Sequence, residues 1–191
     1  MINIFEQGSF NKYYFYNLTE AKSEIYAGYG YSRKTTIFIS HKHEDLDDLK
    51  GVLGFLQKQY GVRVYIDSRD PSMPEKTNSE TAAKIKKRIK QCDKFILLAT
   101  NAAVESKWCN WELGYGDAQK YDEHIALFPL KPRGASDTQY KGSEYLDIYP
   151  AIVYDALLKY SNITPDPYDY YVKNTINGVP QYTSLENWLK R

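Results

Sequence analysis

The most constraining feature of this chain is an alternation that begins at Lys34. Short β-branched, apolar runs are separated by stretches whose apolar residues recur with helical period. Residues 35–40, Thr-Thr-Ile-Phe-Ile-Ser, suit a strand buried on both faces. Leu46, Leu49, Val52, Leu53 and Leu56 then form a helical stripe with acids at its start and Tyr60-Gly61 at its end. Residues 62–66 predict a second strand. Ser79 is placed to cap a helix whose Ala82, Ile85, Ile89 and Cys92 share one face. Residues 94–100 predict a third strand and 106–122 a helix. Residues 124–130 follow as a fourth strand, stopped by Pro129 and Pro132. A fifth strand falls at 149–154, a short helical continuation at 156–160 and a capped closing helix at 184–190, anchored by Trp188. Strands alternating with helices need crossover connections. The expectation is an α/β, doubly wound, parallel five-stranded sheet covered on both faces.

Three segments fall outside the alternation. Residues 131–144 read as a polar, glycine-bearing excursion, and 162–182, rich in Pro, Asn, Asp and Tyr, as loop. Residues 1–33 form an aromatic, polar N-terminal extension to a main domain at 34–191. Its Asn17-Leu-Thr-Glu20 has the form of a capping box, with a short helix over 18–26. The extension either docks on the main domain or mediates assembly.

Composition removes several function classes. A length of 191 residues with 42% hydrophobic content supports one sizeable core. A net charge of +1 gives no global field toward nucleic acid or membrane. Cys92 and Cys109 are too few for a disulfide framework, so free thiols in a reducing cytoplasm are expected. The start lacks a signal-peptide pattern, and no apolar run is long enough to cross a bilayer.

In parallel sheets, sites lie at the carboxyl ends of the strands. The segments following those ends are 40–45, 67–78 and 100–112, all bearing polar or ionisable groups. The richest stretch is Ser106-Lys-Trp-Cys-Asn-Trp-Glu-Leu-Gly-Tyr115. On a helix, Trp108 and Glu112 stand one turn apart on one face, and Trp111 and Tyr115 on a neighbouring strip. A carboxylate beside such rings sits where water is displaced and the protonated acid is favoured; the rings offer a flat surface to a planar group. The competing reading makes the tryptophans core and Glu112 surface.

Other chemistries find little support. There is no Gly-x-x-x-x-Gly-Lys-Ser/Thr loop and no Gly-x-Gly-x-x-Gly after a strand. A phospho-receiver needs an Asp ending the third strand, where this chain has Ala99-Thr100. His41-Lys-His43-Glu44-Asp45 has only His124 as a further histidine, so no tetrahedral set is fixed and no metal is expected. The basic run from Lys84 to Lys90 keeps its isoleucines in helical period and reads as the outer face of an amphipathic helix. Cys109 lacks an identifiable base.

Ile37-Phe-Ile-Ser40-His41, the acidic start of the next helix, Asp67-Ser-Arg-Asp70 and Ile89-Lys-Gln-Cys-Asp-Lys-Phe-Ile-Leu-Leu together resemble the Toll/interleukin-1 receptor (TIR) domain. The most specific part is Trp108-Cys109-x-x-Glu112-Leu113, because TIR domains that cleave NAD carry this pattern or close variants of it. The resemblance covers residues 34–154, and the whole is similar to a stand-alone bacterial TIR protein, such as the TIR subunit of Thoeris antiphage defence. It implies a flavodoxin-like TIR fold and cleavage of the nicotinamide–ribose bond of NAD+, which is substrate rather than cofactor. Glu112 is implied as catalytic. Trp108 and Trp111 would place a ring or pack, Ser40, His41 and His43 would border the nucleotide, and Arg69 would meet phosphate. Implied partners are further TIR copies, an effector switched on by a cyclic ADP-ribose product, and a phage-derived trigger; the implied compartment is the cytoplasm. A non-catalytic adaptor acting by TIR–TIR contact and a simple NAD-depleting hydrolase are the alternatives. One departure stands out: Pro71-Ser-Met-Pro74 replaces the glycine-bearing turn usual in the gating loop.

Overall fold

A computed structural model describes residues 4–14, 34–66, 78–121, 123–154 and 170–191. Five parallel strands form the centre: β2 (Thr36–Ser40), β3 (Arg63–Tyr65), β4 (Lys94–Ala99), β5 (Ile125–Lys131) and β6 (Ala151–Tyr154). They lie side by side in the order β3-β2-β4-β5-β6. The chain therefore moves outward from β2 to β3, then returns past β2 to β4. That reversal makes the β2/β4 boundary the topological switch point of a flavodoxin-like sheet, where a crevice opens at the strand ends.

Helices cover both faces, as buried strands require. One face carries α1 (Leu46–Tyr60) and the closing helix; the other carries α2 (Ser79–Gln91), α3 (Asn101–Val104), α4 (Lys107–Lys120) and α5 (Ser143–Ile148). The closing helix α6 (Leu185–Lys190) is capped by Ser184, whose side chain accepts from Asn187 N, and Trp188 is buried beneath it. Side chains alternate strictly between faces. Ile37 and Ile39 join the core under α1, whereas Phe38 joins the core under α4; Ile96 and Leu98 oppose Phe95, Leu97 and Ala99 in the same way. On α2, Ile85 and Ile89 are fully buried while its lysines face outward, in keeping with an amphipathic helix.

Several boundaries differ from expectation. Asn78, not Ser79, caps α2: its Oδ1 accepts from Thr81 N at 2.9 Å and the Thr81 hydroxyl reciprocates. Pro129 does not stop β5, which runs to Lys131. The Leu127 N–H bonds Pro150 O on the β6 side, so by two-residue alternation position 129 faces that side too. The pairing of β6 ends at Leu127, and β1 (Phe5–Glu6) begins only at Leu130; the missing donor falls in the gap.

The expected loop over 162–182 is overturned in its second half. Strands β7 (Tyr170–Ile176) and β8 (Val179–Ser184) extend the sheet as an antiparallel hairpin beyond β6. The signal was Asn177-Gly178, both at positive φ (52° and 77°), the turn whose twist matches a hairpin. The polar, exposed faces of these strands disguised it. The helices expected over 18–26 and 156–160, and the loop expected over 67–78 apart from Asn78, lie outside the described residues.

Part of the N-terminal extension is built into the main core. Phe10 is buried, packing on Phe55 (centroids 5.0 Å apart) and edge-on to Phe128 (5.1 Å), and Phe5 lies 5.6 Å from Phe128. A Cβ on Gly51 would stand 2.9 Å from the Phe10 carbonyl, so α1 has glycine where this segment crosses it. Each such phenyl ring removed from water contributes about 1.5–3 kcal/mol.

Candidate functional site

Alternation along β2 decides where its last residue points. Ser40 is two residues beyond Phe38 and shares its face, toward α4. Helix α4 starts at the Ser106 cap, whose hydroxyl accepts from Cys109 N at 3.3 Å. It is held close to β4 at Gly116, where a Cβ would meet the Phe95 ring at 2.8 Å. One turn before that contact, Glu112 turns inward. Its Oε2 accepts a 2.5 Å hydrogen bond from Ser40 Oγ, and both residues are 1% exposed. The structure therefore brings two of the expected site residues together at the carboxyl end of the sheet, and the surface reading of Glu112 fails.

A second polar pair occupies the opposite face of the same edge. Thr100 follows β4 on the Leu98 side, where α1 begins. Its hydroxyl donates to Asp45 Oδ2 at 2.6 Å and accepts from Ala103 N at 3.0 Å, capping α3. Asp45 is buried, and that burial raises its pKa, with the Thr100 hydrogen bond offsetting only part of the effect. Thus Ser40, the last residue of β2, and Thr100, the first residue after β4, each hold one buried carboxyl.

The excursion after β5 closes this edge. Tyr140 donates its hydroxyl to Ala99 O, the last carbonyl of β4, at 2.9 Å, and its burial raises the phenol pKa. Asn101 is tied to it twice, donating to Gln139 O and accepting from Lys141 N. Helix α5 then meets α4 through Tyr145 Oη and Asn110 Oδ1 at 3.1 Å.

The aromatic residues sort differently from expectation. Trp108 and Trp111 stack on each other at 4.8 Å and 28°, and Trp111 stacks on Tyr115 at 6.2 Å and 17°. Lys86 of α2 lies over the Trp111 and Tyr115 rings, 5.6 and 5.3 Å from their centroids. Trp111 and Tyr115 thus stack along the α2-facing side of α4, while Glu112 turns to β2. Trp108, at the free end of the stack, is half-buried. His41 is buried immediately after Ser40; His43 is exposed and begins the 3-10 turn His43–Asp45, whose last residue is the buried Asp45. Arg69 lies outside the described residues.

Asp45, Thr100 and Tyr140 did not emerge as site residues from the sequence. Asp45 and Thr100 had a usable signal, being polar groups just past β2 and β4 at the switch point. Tyr140 had none, since its reach back to Ala99 spans 41 residues. Cys92 and Cys109 are free and buried. Among the described residues no group of three or more His, Cys, Asp or Glu side chains could hold a metal, and no helix is long and apolar enough to cross a membrane.

No curated protein matches the chain. The family model for the TIR domain matches residues 37–157, which span the parallel strands, the Ser40–Glu112 pair and the edge that covers them. With that match over more than half its length, and with a flavodoxin-like sheet beneath it, the chain belongs to the TIR-domain family.

Proposed function

We propose that this chain cleaves the nicotinamide–ribose bond of NAD+ and that Glu112 is its catalytic carboxylate. The observation that carries the reading is the buried Ser40–Glu112 hydrogen bond at the β2/β4 switch point. When that glycosidic bond breaks, its electron pair leaves with the pyridinium ring, which departs as neutral nicotinamide. Positive charge is left on the ribose as an oxocarbenium-like state. A fixed carboxylate in a site with little water stabilises that charge without reorganising, and Ser40 fixes its direction. Attack by water on the same carbon gives linear ADP-ribose; attack by an adenine nitrogen, with loss of its proton, gives a cyclic ADP-ribose. Cyclisation requires the adenine to be folded toward the ribose while water is excluded.

The remaining roles extend the same reading. Trp108 offers the free, half-buried end of a ring stack to a planar group, with Trp111 supporting it from behind. His41 and His43 border the nucleotide on the segment after β2, and Arg69 meets its phosphates. The cyclic product serves as a signal to an effector protein in antiphage defence in the cytoplasm, after a phage-derived cue has driven TIR–TIR assembly.

The test is product analysis by mass spectrometry on assembled protein supplied with NAD+. Nicotinamide release is expected, falling at least about 10²-fold in Glu112→Gln, which keeps shape and loses charge. Normal turnover by that variant would reject the site. No release under any activating condition would favour an adaptor, and linear ADP-ribose alone would favour a simple hydrolase.

A further inference from the structure

At the opposite edge of the sheet lies a cleft of about 660 Å³ that the carboxyl-end site does not use. It opens where β2, β4 and β5 begin, below the ends of α2, α4 and α6. Lys94 and Ala99 bound β4, so the two edges stand roughly 16 Å apart along that strand.

Its walls are strongly unbalanced in charge. Lys90, Lys94, Lys120, Lys190 and Arg191 line it, and Asp93 is the one acidic side chain among the described lining residues. Asp93 Oδ2 already accepts from Thr36 N and Thr36 Oγ1 at 2.8 and 2.7 Å, and Lys190 is paired with Glu186 at 2.5 Å. Among the described residues, no carboxylate oxygen lies within 4.0 Å of a side-chain nitrogen of Lys90, Lys94, Lys120 or Arg191. Two of these four cations are buried, Lys94 at 1% and Lys120 at 7% exposure.

Local structure accounts for where these ammonium groups sit, but not for their charge. Lys94 donates to Glu123 O at 3.2 Å, approaches His124 Nδ1 at 2.8 Å and lies over the Trp188 ring. Lys120 donates to the Cys92 and Lys90 carbonyls at the end of α2. Carbonyls, a neutral imidazole and a ring face satisfy hydrogen bonds; they do not neutralise two buried cations, whose desolvation is costly.

From this the geometry points to a second binding site, for a phosphate-bearing small anion, formed by Lys90, Lys94, Lys120 and Arg191 at the amino-terminal edge of the sheet. A multiply charged anion supplies the counter-charge these groups lack, and the volume falls in the range of small-molecule sites. Burial lowers the pKa of Lys94 to about 8 and depresses that of Lys120, a penalty that a bound anion relieves. Tyr121, 77% exposed and held at φ 54°, lines the same cleft and offers a free ring to a base.

Calorimetric titration with pyrophosphate at pH 7 and about 0.15 M salt tests this. Saturable binding is expected, with a Kd on the order of 1 mM or tighter, weakened about tenfold in Lys120→Met and in the exposed-rim variant Lys90→Glu. It should be unchanged in Glu112→Gln, so that failure here and failure of the NAD-cleavage reading are separable. Absence of saturation by about 20 mM overturns the proposal. So does binding that ignores both cleft substitutions, or binding that Glu112→Gln abolishes. Tighter binding of ADP, with the gain lost in Tyr121→Ala, would identify a nucleoside phosphate as the ligand; equal affinities would identify an inorganic one.

Discussion

A buried carboxyl group is held in place by whatever donates to it, and at Glu112 that donor includes the last side chain of β2. The hydroxyl of Ser40 contributes a hydrogen bond of 2.5 Å in a buried site, where such bonds are strong. Ser40→Ala deletes the donor while leaving the strand and the fold's volume almost unchanged. Removing the donor from a buried acceptor costs about 1–3 kcal/mol. Stability to urea should therefore fall by about that amount. If Ser40 aims Glu112, NAD turnover should also fall by roughly tenfold or more, mostly in kcat. A variant with lowered stability and intact turnover would reduce Ser40 to a structural role.

At the scale of elements, the site depends on how closely α4 rides on β4. Gly116 permits that approach, because a methyl group there would overlap the fully buried Phe95 ring. Gly114, two residues earlier on the same helix, is exposed with nothing within 4 Å of a built Cβ. The pair makes an internal control. Gly114→Ala should stabilise the protein by about 0.5–1 kcal/mol through helix propensity. Gly116→Ala should instead destabilise it by about 1–3 kcal/mol through overpacking, and should lower NAD turnover by lifting Glu112 from Ser40. Thermal denaturation of both variants decides the matter: equal gains would mean that α4 is free to shift.

Across the whole molecule, the two edges of the sheet carry opposite buried charge, carboxyls at one and ammonium groups at the other. The ammonium edge makes a pH prediction. Lys94 is held at about 8 by burial, with Arg191 and Lys120 adding repulsion and Asp93 and Glu123 partly offsetting it. Between pH 8 and 10.5 the unfolded chain binds more protons at this residue than the folded one does. Its contribution to stability therefore rises with pH across that window and is constant below it. Comparison with Lys94→Met cancels the groups common to both proteins. In urea unfolding, the difference should move in favour of the natural protein by on the order of 2 kcal/mol between pH 8 and 10.5. A flat difference would mean that Lys94 titrates as an exposed lysine.

Strand and helix identity was written locally. β-branched runs, helical stripes and caps specified the five parallel strands and α1, α2, α4 and α6, since periodicity is a property of neighbours in sequence. Trp108-Cys109-x-x-Glu112-Leu113 falls on the first turns of α4, the helix from which Glu112 reaches Ser40. The hairpin of β7 and β8 was legible only in Asn177-Gly178, because strands exposing polar side chains lose the apolar alternation that reveals them. Tertiary structure alone decided which buried groups meet. Ser40 and Glu112 are 72 residues apart, and Asp45 and Thr100 are 55 apart. Sheet order and strand pleat, rather than any local spacing, bring each pair to hydrogen-bond distance. The same holds for the cleft at the far edge, where lysines that look like ordinary surface charge along the chain converge because β2, β4 and β5 begin side by side.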